Sequence, residues 1–135
     1  EEVGAGIIPF TALAQGLLTD KYLDGIPANA RINRPGGGSF SREMLTPENL
    51  ARVRSLDGIA KRRGQTLAQM AYAWVLRDPR VTTTLIGASS VEQLRENVAA
   101  LANLSFSAEE LAEIDRFAVE GGVNLWEKPS TEQRV

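Results

Sequence analysis

Apolar positions along the chain recur at the spacing of amphipathic helices, and four such helices are predicted. Thr46, Pro47 and Glu48 form a helix start, because the hydroxyl can cap the first turn and the carboxylate faces the positive end of the helix dipole. Gly64 is expected to end this helix. The apolar stripes of the four helices are Leu50, Val53, Leu56 and Ile59; residues 70–76; Leu94, Val98 and Leu101; and Leu111, Ile114 and Phe117.

Two short apolar runs have the composition of β-strands. Residues 7–10 follow a glycine, and residues 81–86 are rich in β-branched side chains. The order strand, helix, strand predicts a parallel sheet and an α/β fold. Two parallel strands alone leave unpaired edges, so we expect further strands before Glu1 and a larger protein of which this chain is the tail.

Other parts of the chain are interpreted as surface. The glycine-rich run at residues 35–39 lacks the ending of a phosphate-binding loop and is interpreted as a surface segment. Arg52, Arg54 and residues 61–63 are expected to form an exposed basic face of the first helix. Trp126 lies in a polar tail, where it packs either on its own domain or on a partner.

Composition excludes several classes of function. The 135 residues include no cysteine and no histidine, so they offer no thiol nucleophile, no disulfide and no Cys/His metal site. The net charge of −2 provides no basic field for nucleic acid or an anionic membrane, and no run reaches the roughly 18 apolar residues of a membrane span. We expect a small-molecule or protein partner and, without a signal peptide, a cytoplasmic location.

The first candidate anion site follows the second predicted strand. The chain turns at Gly87 into a helix whose first N–H groups are free, an arrangement that binds phosphate through aligned amides and the helix dipole. Ser89 can add a hydroxyl, and Gln93 and Asn97 can present amides on one face of the helix. A capping box on a polar helix surface explains the same residues without a ligand.

The second candidate site follows the first predicted strand, at residues 10–22. Ligands of α/β sheets bind at the carboxyl ends of the strands, where this segment begins. Lys21 could neutralise a phosphate, and Arg31 could reach in from the following loop. The alternative is that both are solvated surface cations.

These two segments, residues 10–22 and 85–97, with Arg31 between them, resemble the C-terminal part of the aldo-keto reductases, which are NADPH-dependent (β/α)8 barrels. Within the family, residues 16–27 and 123–126 are most similar to the branch of bacterial glyceraldehyde 3-phosphate reductases, which is close to the potassium-channel β subunits. The resemblance implies that residues 7–10 are barrel strand seven and residues 83–86 strand eight. Residues 1–135 would then be the C-terminal part of one oxidoreductase domain whose N-terminal part is absent.

The resemblance also implies an NADP cofactor and the residues that bind it. The nicotinamide and pyrophosphate part of the site matches Phe10, Thr11, Ala12, Leu13, Ala14, Gln15, Gly16 and Lys21. Arg31 matches a loop arginine that closes over the cofactor. The adenosine end, with its 2′-phosphate, matches Gly87, Ser89, Gln93, Glu96 and Asn97.

The implied activity is NADPH-dependent reduction of aldehydes, with small phosphorylated carbonyls such as glyceraldehyde 3-phosphate among the substrates. The family's Asp, Tyr, Lys and His tetrad lies on earlier strands, so no catalytic residue is assigned in this histidine-free chain. On its own the chain is expected to be inactive. Two alternatives stay open: a non-catalytic relative whose bound nucleotide regulates a partner protein, and a fragment with a structural role only. A second copy of the chain also stays open as a partner.

Overall fold

The protein is described by a computed structural model that covers residues 4–28, 30–33 and 42–122. Within these residues the chain forms four α-helices: α1 (Pro47–Arg62), α2 (Leu67–Leu76), α3 (Val91–Val98) and α4 (Ala108–Phe117). The described residues also form five 3-10 helices, four before α1 and one between α3 and α4, at Ala14–Gly16, Asp20–Tyr22, Arg31–Asn33, Arg42–Met44 and Ala99–Ala102. The four predicted helices are therefore confirmed. The glycine-rich run at residues 35–39 and Trp126 lie outside the described residues.

A side-chain cap begins α1 where the sequence predicts it, and similar caps begin other α-helices. Thr46 Oγ1 accepts a hydrogen bond from the backbone N–H of Asn49 at 3.1 Å, at the start of α1. Reciprocal capping boxes begin α2, with Thr66 and Gln69, and α4, with Ser107 and Glu110. These bonds satisfy N–H groups that have no partner within the helix, so the local sequence sets where each helix starts.

The two predicted strands are present only as a short parallel pairing. Ile7 and Val81 form an isolated parallel bridge, in which the N–H and the carbonyl of Ile7 each make a hydrogen bond of 2.9 Å. Pro9 has no N–H group for the next rung, and its carbonyl accepts from Leu85 N–H at 3.1 Å, one residue out of regular parallel register. The prediction of regular strands is therefore wrong for the described residues, whereas the predicted parallel direction is confirmed.

The hydrophobic core lies between α1, α2 and α4. Val53, Leu56 and Ile59 of α1 are buried, as is Ile114 of α4. The buried residues of α2 are Leu67, Met70, Ala71, Tyr72 and Ala73. Successive buried positions on α2 show that this helix is covered on more than one side, as its nearly continuous apolar sequence predicts.

A second set of apolar side chains faces solvent. On α3 and the turn after it, Leu94, Val98 and Leu101 are between 45% and 58% exposed. In the paired segments the exposed side chains are Ile7, Ile8, Phe10, Leu85 and Ile86. Monomeric proteins rarely expose so many large apolar side chains, so these surfaces are suited to contact with further polypeptide.

The predicted basic face of α1 is wrong at Arg63, whose side chain is only 3% exposed. Its guanidinium pairs with Glu110 at 2.8 Å, donates to the Ser105 carbonyl at 2.8 Å and lies 3.7 Å from the centre of the Phe106 ring. Arginine can be buried in this way because its planar group is both paired and stacked. The contact fastens the end of α1 to the start of α4.

Among the residues that the structure describes, no helix combines the length and the apolar character needed to cross a bilayer. The same residues include no cluster of three or more histidine, cysteine, aspartate or glutamate side chains that could hold a metal ion.

Candidate functional site

The parallel pairing brings the two predicted cofactor segments to one edge. The Pro9 carbonyl accepts from Leu85 N–H and, at 3.2 Å, from the hydroxyl of Thr84. The chain therefore leaves the paired segments in the same direction after Phe10 and at Gly87. In α/β folds this carboxyl end of the strands is where ligands bind.

The segment after Pro9 has an unusual backbone. Thr11, Ala14 and Gln15 have φ values of 57°, 45° and 57°, which lie in the left-handed region, and Gly16 follows at 101°. For a residue other than glycine this conformation costs about 1–2 kcal/mol. Hydrogen bonds within the loop hold it, including Ala14 N–H to the Thr11 carbonyl at 2.8 Å. Strain of this kind clusters at binding loops, so it marks residues 11–16 as a functional candidate.

The residues of this loop differ in their exposure to solvent. Phe10 and Thr11 are exposed, whereas the predicted residues Ala12, Leu13, Ala14, Gln15 and Gly16 are half-buried. Under the loop lies a cavity of about 240 Å³, lined mainly by apolar side chains of α1, α2 and α4 together with Ala12 and Ala14. An apolar cavity cannot solvate a phosphate, so an anion would have to bind on the exposed side of the loop.

Lys21 is exposed at the end of the same segment, and its Nζ lies 5.7 Å from the centre of the Tyr22 ring. Thr19, which the sequence analysis missed, ties Lys21 to the strained loop. Its hydroxyl donates to the Gly16 carbonyl at 2.7 Å and accepts from Lys21 N–H at 3.3 Å. A threonine directly before a short helix is the sequence signal for such a cap. Arg31 begins the 3-10 helix Arg31–Asn33, and its contact with a cofactor stays a prediction.

At the start of α3, the residue that caps the helix differs from the candidate binding residues. Ser90 is the N-cap, and its hydroxyl accepts from Gln93 N–H at 3.1 Å. The side-chain oxygen of Gln93 accepts from the N–H of Ser89 at 2.6 Å and from its hydroxyl at 3.0 Å. The side-chain NH2 group of Gln93 has no hydrogen-bond partner among the described residues and remains available to an anion.

Asn97, one turn further on, does not share the exposure of Gln93. It is buried, at 6% exposure, and its side-chain NH2 group donates to the Gly87 carbonyl at 3.2 Å. Asn97 therefore holds the turn at Gly87 together, and its contact with a cofactor stays a prediction. A Cβ added at Gly87 would meet nothing within 4 Å, so the space beside the turn is open to a ligand.

Glu96 has an exposed side chain and a tethered backbone. Its carbonyl accepts from the side-chain NH2 group of Gln69 on α2 at 2.9 Å. This contact was not predicted from the sequence, because no local pattern marks a hydrogen bond between two helices.

Comparison with known proteins identifies the family of the chain. The sequence model described as "Aldo/keto reductase family" matches residues 1–119. The chain is 54% identical over 129 residues to the L-glyceraldehyde 3-phosphate reductase of Escherichia coli strain K12, with 94% of the chain and 37% of that protein covered. The reductase of the same name from Escherichia coli O157:H7 gives the same values.

A second kind of relative is more distant. A protein of Oryza sativa named "Probable voltage-gated potassium channel subunit beta" is 36% identical over 99 residues, covering 73% of the chain and 30% of that protein. The chain thus spans about a third of the length of the relatives that it matches. The resemblance stated from the sequence is confirmed, and the chain belongs to the aldo/keto reductase family, for which the fold is a (β/α)8 barrel.

Proposed function

We propose that this chain is the C-terminal, cofactor-binding part of a barrel that reduces aldehydes with NADPH. The observation that carries the proposal is the meeting of two segments at one edge of the parallel pairing. One is the strained loop at residues 11–16, and the other is the turn at Gly87 that leads into α3. The 54% identity to proteins named L-glyceraldehyde 3-phosphate reductase supports a small phosphorylated aldehyde as substrate.

The residues at this edge fit an NADP cofactor. The exposed ammonium of Lys21 and the loop at residues 10–16 would hold the nicotinamide and pyrophosphate part, with Arg31 closing over it. At the other end the proposed binding residues are Gly87, Ser89, Gln93, Glu96 and Asn97. The positive end of the α3 dipole and the NH2 group of Gln93 suit the doubly charged 2′-phosphate.

The chemical roles divide between this chain and the rest of the barrel. The bound nucleotide supplies the hydride. This chain's residues bind and orient the nucleotide, and with no histidine in the sequence we propose that the proton donor and its partners belong to the earlier strands. The protein is proposed to act in the cytoplasm on a small carbonyl substrate.

The substitution Gln93→Glu tests the placement of the 2′-phosphate. Glutamate keeps the oxygen that accepts from Ser89, so the helix start is preserved while a negative charge is added. In the full-length protein, NADPH affinity should fall by about 5- to 150-fold, corresponding to about 1–3 kcal/mol of like-charge repulsion. NADH lacks the phosphate and should be almost unaffected. Fluorescence titration of both nucleotides measures the effect, and equal weakening of both would show that α3 does not hold the 2′-phosphate.

The similarity to a protein named as a potassium channel β subunit favours one alternative, a nucleotide-binding subunit that regulates a partner. Following NADPH oxidation with glyceraldehyde 3-phosphate in the full-length protein separates the two functions. Tight NADPH binding with no carbonyl reduction for any small aldehyde would favour the regulatory subunit.

A further inference from the structure

We propose that Gln69, at the start of α2, positions the nucleotide-binding turn at the start of α3. This inference rests on the proposed function. The Gln69 side chain is used twice: its oxygen accepts from Thr66 N–H at 2.9 Å, and its NH2 group donates to the Glu96 carbonyl at 2.9 Å. One carboxamide therefore caps α2 and holds α3.

A further hydrogen bond connects α3 to the turn at Gly87. Glu96 is followed directly by Asn97, which is buried and donates to the Gly87 carbonyl at 3.2 Å. Gln69 thus fixes the backbone of α3 at the point from which Asn97 reaches back to Gly87. A shift of α3 away from α2 would pull on this hydrogen bond and displace the turn together with Gln93.

Among the described residues, α3 buries fewer apolar side chains than the other helices do. Its large apolar side chains Val91, Leu94 and Val98 are between 45% and 58% exposed, and Asn97 is its buried residue. Within the described residues, few apolar contacts therefore fix where α3 lies. The hydrogen bond from Gln69 on α2 therefore helps to fix the position of α3, beside any cover that the rest of the barrel gives to its apolar face.

Two substitutions separate the two roles of Gln69. Gln69→Glu keeps an oxygen for Thr66 N–H, since glutamate is equally suited to the third position of a capping box, but it cannot donate to the Glu96 carbonyl. Gln69→Lys has the reverse effect, because lysine donates and does not accept. The first variant loses the tether and the second loses the cap.

Gln65 provides a matched control. Its oxygen accepts from Arg63 Nε at 2.9 Å, and its NH2 group donates to the Asn103 carbonyl at 3.0 Å. Gln65→Glu therefore removes a tether of the same chemistry between the residues before α2 and the segment beyond α3. The contact lies at the opposite end of α3 from the turn, so its loss should leave the turn in place.

The experiment measures NADPH and NADH dissociation constants and the thermal midpoint of the full-length protein for the wild type and the three variants. Gln69→Glu should reduce the preference for NADPH over NADH at least fivefold. Gln69→Lys and Gln65→Glu should keep that preference within twofold, even where their thermal midpoints fall. A residue with only a structural role would lower the midpoint without changing the preference.

The outcomes distinguish this inference from the function on which it rests. If Gln93→Glu removes the NADPH preference and Gln69→Glu leaves it intact, the placement of the phosphate stands and the role of Gln69 is overturned. If the wild type binds neither nucleotide, both are overturned. Should Gln69→Glu fail to fold, Gln69→Lys decides the matter, because loss of preference in a variant that keeps the donor contradicts the tether.

Discussion

Arg63 illustrates how one side chain can depart from a correct helix prediction. Its place after Lys61 and Arg62 indicates a solvated basic face, but the partner that buries it comes from α4. Helical periodicity contains no information about such a distant partner. Arginine is also ambiguous by itself, since its long apolar stem packs as readily as its charge is solvated. The sequence alone therefore could not show which basic residue joins α1 to α4.

Glu110, the partner of Arg63, is expected to make the stability of the protein depend on pH in the acid range. Glu110 accepts a hydrogen bond from the Ser107 N–H and lies beside Arg63. Both interactions, the first more strongly, lower the pKa of the Glu110 carboxyl below its ordinary value of 4.5. The stability that the ionised Glu110 carboxyl contributes is therefore fully present above pH 4.5, and it is lost as the pH falls through the lowered pKa of the folded state. In the full-length protein, Glu110→Gln should make the thermal midpoint fall less steeply between pH 5 and about pH 3 than in the wild type, because glutamine keeps the capping box and cannot titrate.

Glu113→Gln is the control for this measurement. Glu113 pairs with Arg62 at 2.5 Å, with side chains 39% and 60% exposed, and ion pairs this accessible contribute little. Its substitution should therefore leave the acid dependence close to that of the wild type. Equal slopes for Glu110→Gln and the wild type would show that the capped carboxylate does not carry the effect.

The helices were predictable from the sequence and the strands were not, for a physical reason. Thr46, Thr66 and Ser107 cap helices through hydrogen bonds to residues three positions away, so the signal is local. A strand depends on its neighbour, and Pro9 interrupts the only parallel pairing in the described part of the chain. The sequence showed the apolar character and direction of these segments, but not how few hydrogen bonds join them.

One glycine inside α1 and one just after it should respond to substitution by alanine with opposite changes in stability. Gly58 lies inside the helix, and a Cβ there would meet nothing within 4 Å, so Gly58→Ala should raise the free energy of unfolding by about 0.5–1 kcal/mol. Gly64 follows the helix at φ +69°, a backbone conformation that strains alanine. Gly64→Ala should therefore lower the free energy of unfolding by about 1 kcal/mol. Urea denaturation of the full-length protein measures both. Changes of the same sign would contradict the assignment of Gly64 as the residue that ends α1.

The candidate site shows the same division between local and distant information. Residues 10–16 and 87–97 were predicted from segments that follow apolar runs and from a resemblance to a family, and the structure brings their starting points to one edge. The contacts that hold these segments were not predictable. Thr19 and Gln69 act through backbone carbonyls, and any polar side chain can bond to a carbonyl without a sequence pattern.

The exposed apolar surfaces and the coverage of relatives concern the molecule as a whole. The chain covers 37% of the length of the reductases to which it is 54% identical. The segments at residues 7–10 and 81–86 expose Ile8, Phe10 and Leu85 by more than half. A closed barrel would supply neighbours for both segments and cover these side chains, because closure removes the edges of a sheet.

The 135-residue chain produced by itself should therefore lack carbonyl reductase activity. Hydride transfer requires a substrate held at the nicotinamide and a placed proton donor, and we assign both to the earlier strands. The readout is NADPH oxidation with glyceraldehyde 3-phosphate, compared with the full-length protein and a blank without protein.

The same chain should be poorly soluble or bind a hydrophobic dye, since its apolar surfaces are uncovered. Adding the separately produced N-terminal part should restore some activity and reduce dye binding together, because both depend on completing the barrel. Reduction above the blank by the chain alone, or sharp and dispersed amide resonances from its monomer, would contradict this dependence.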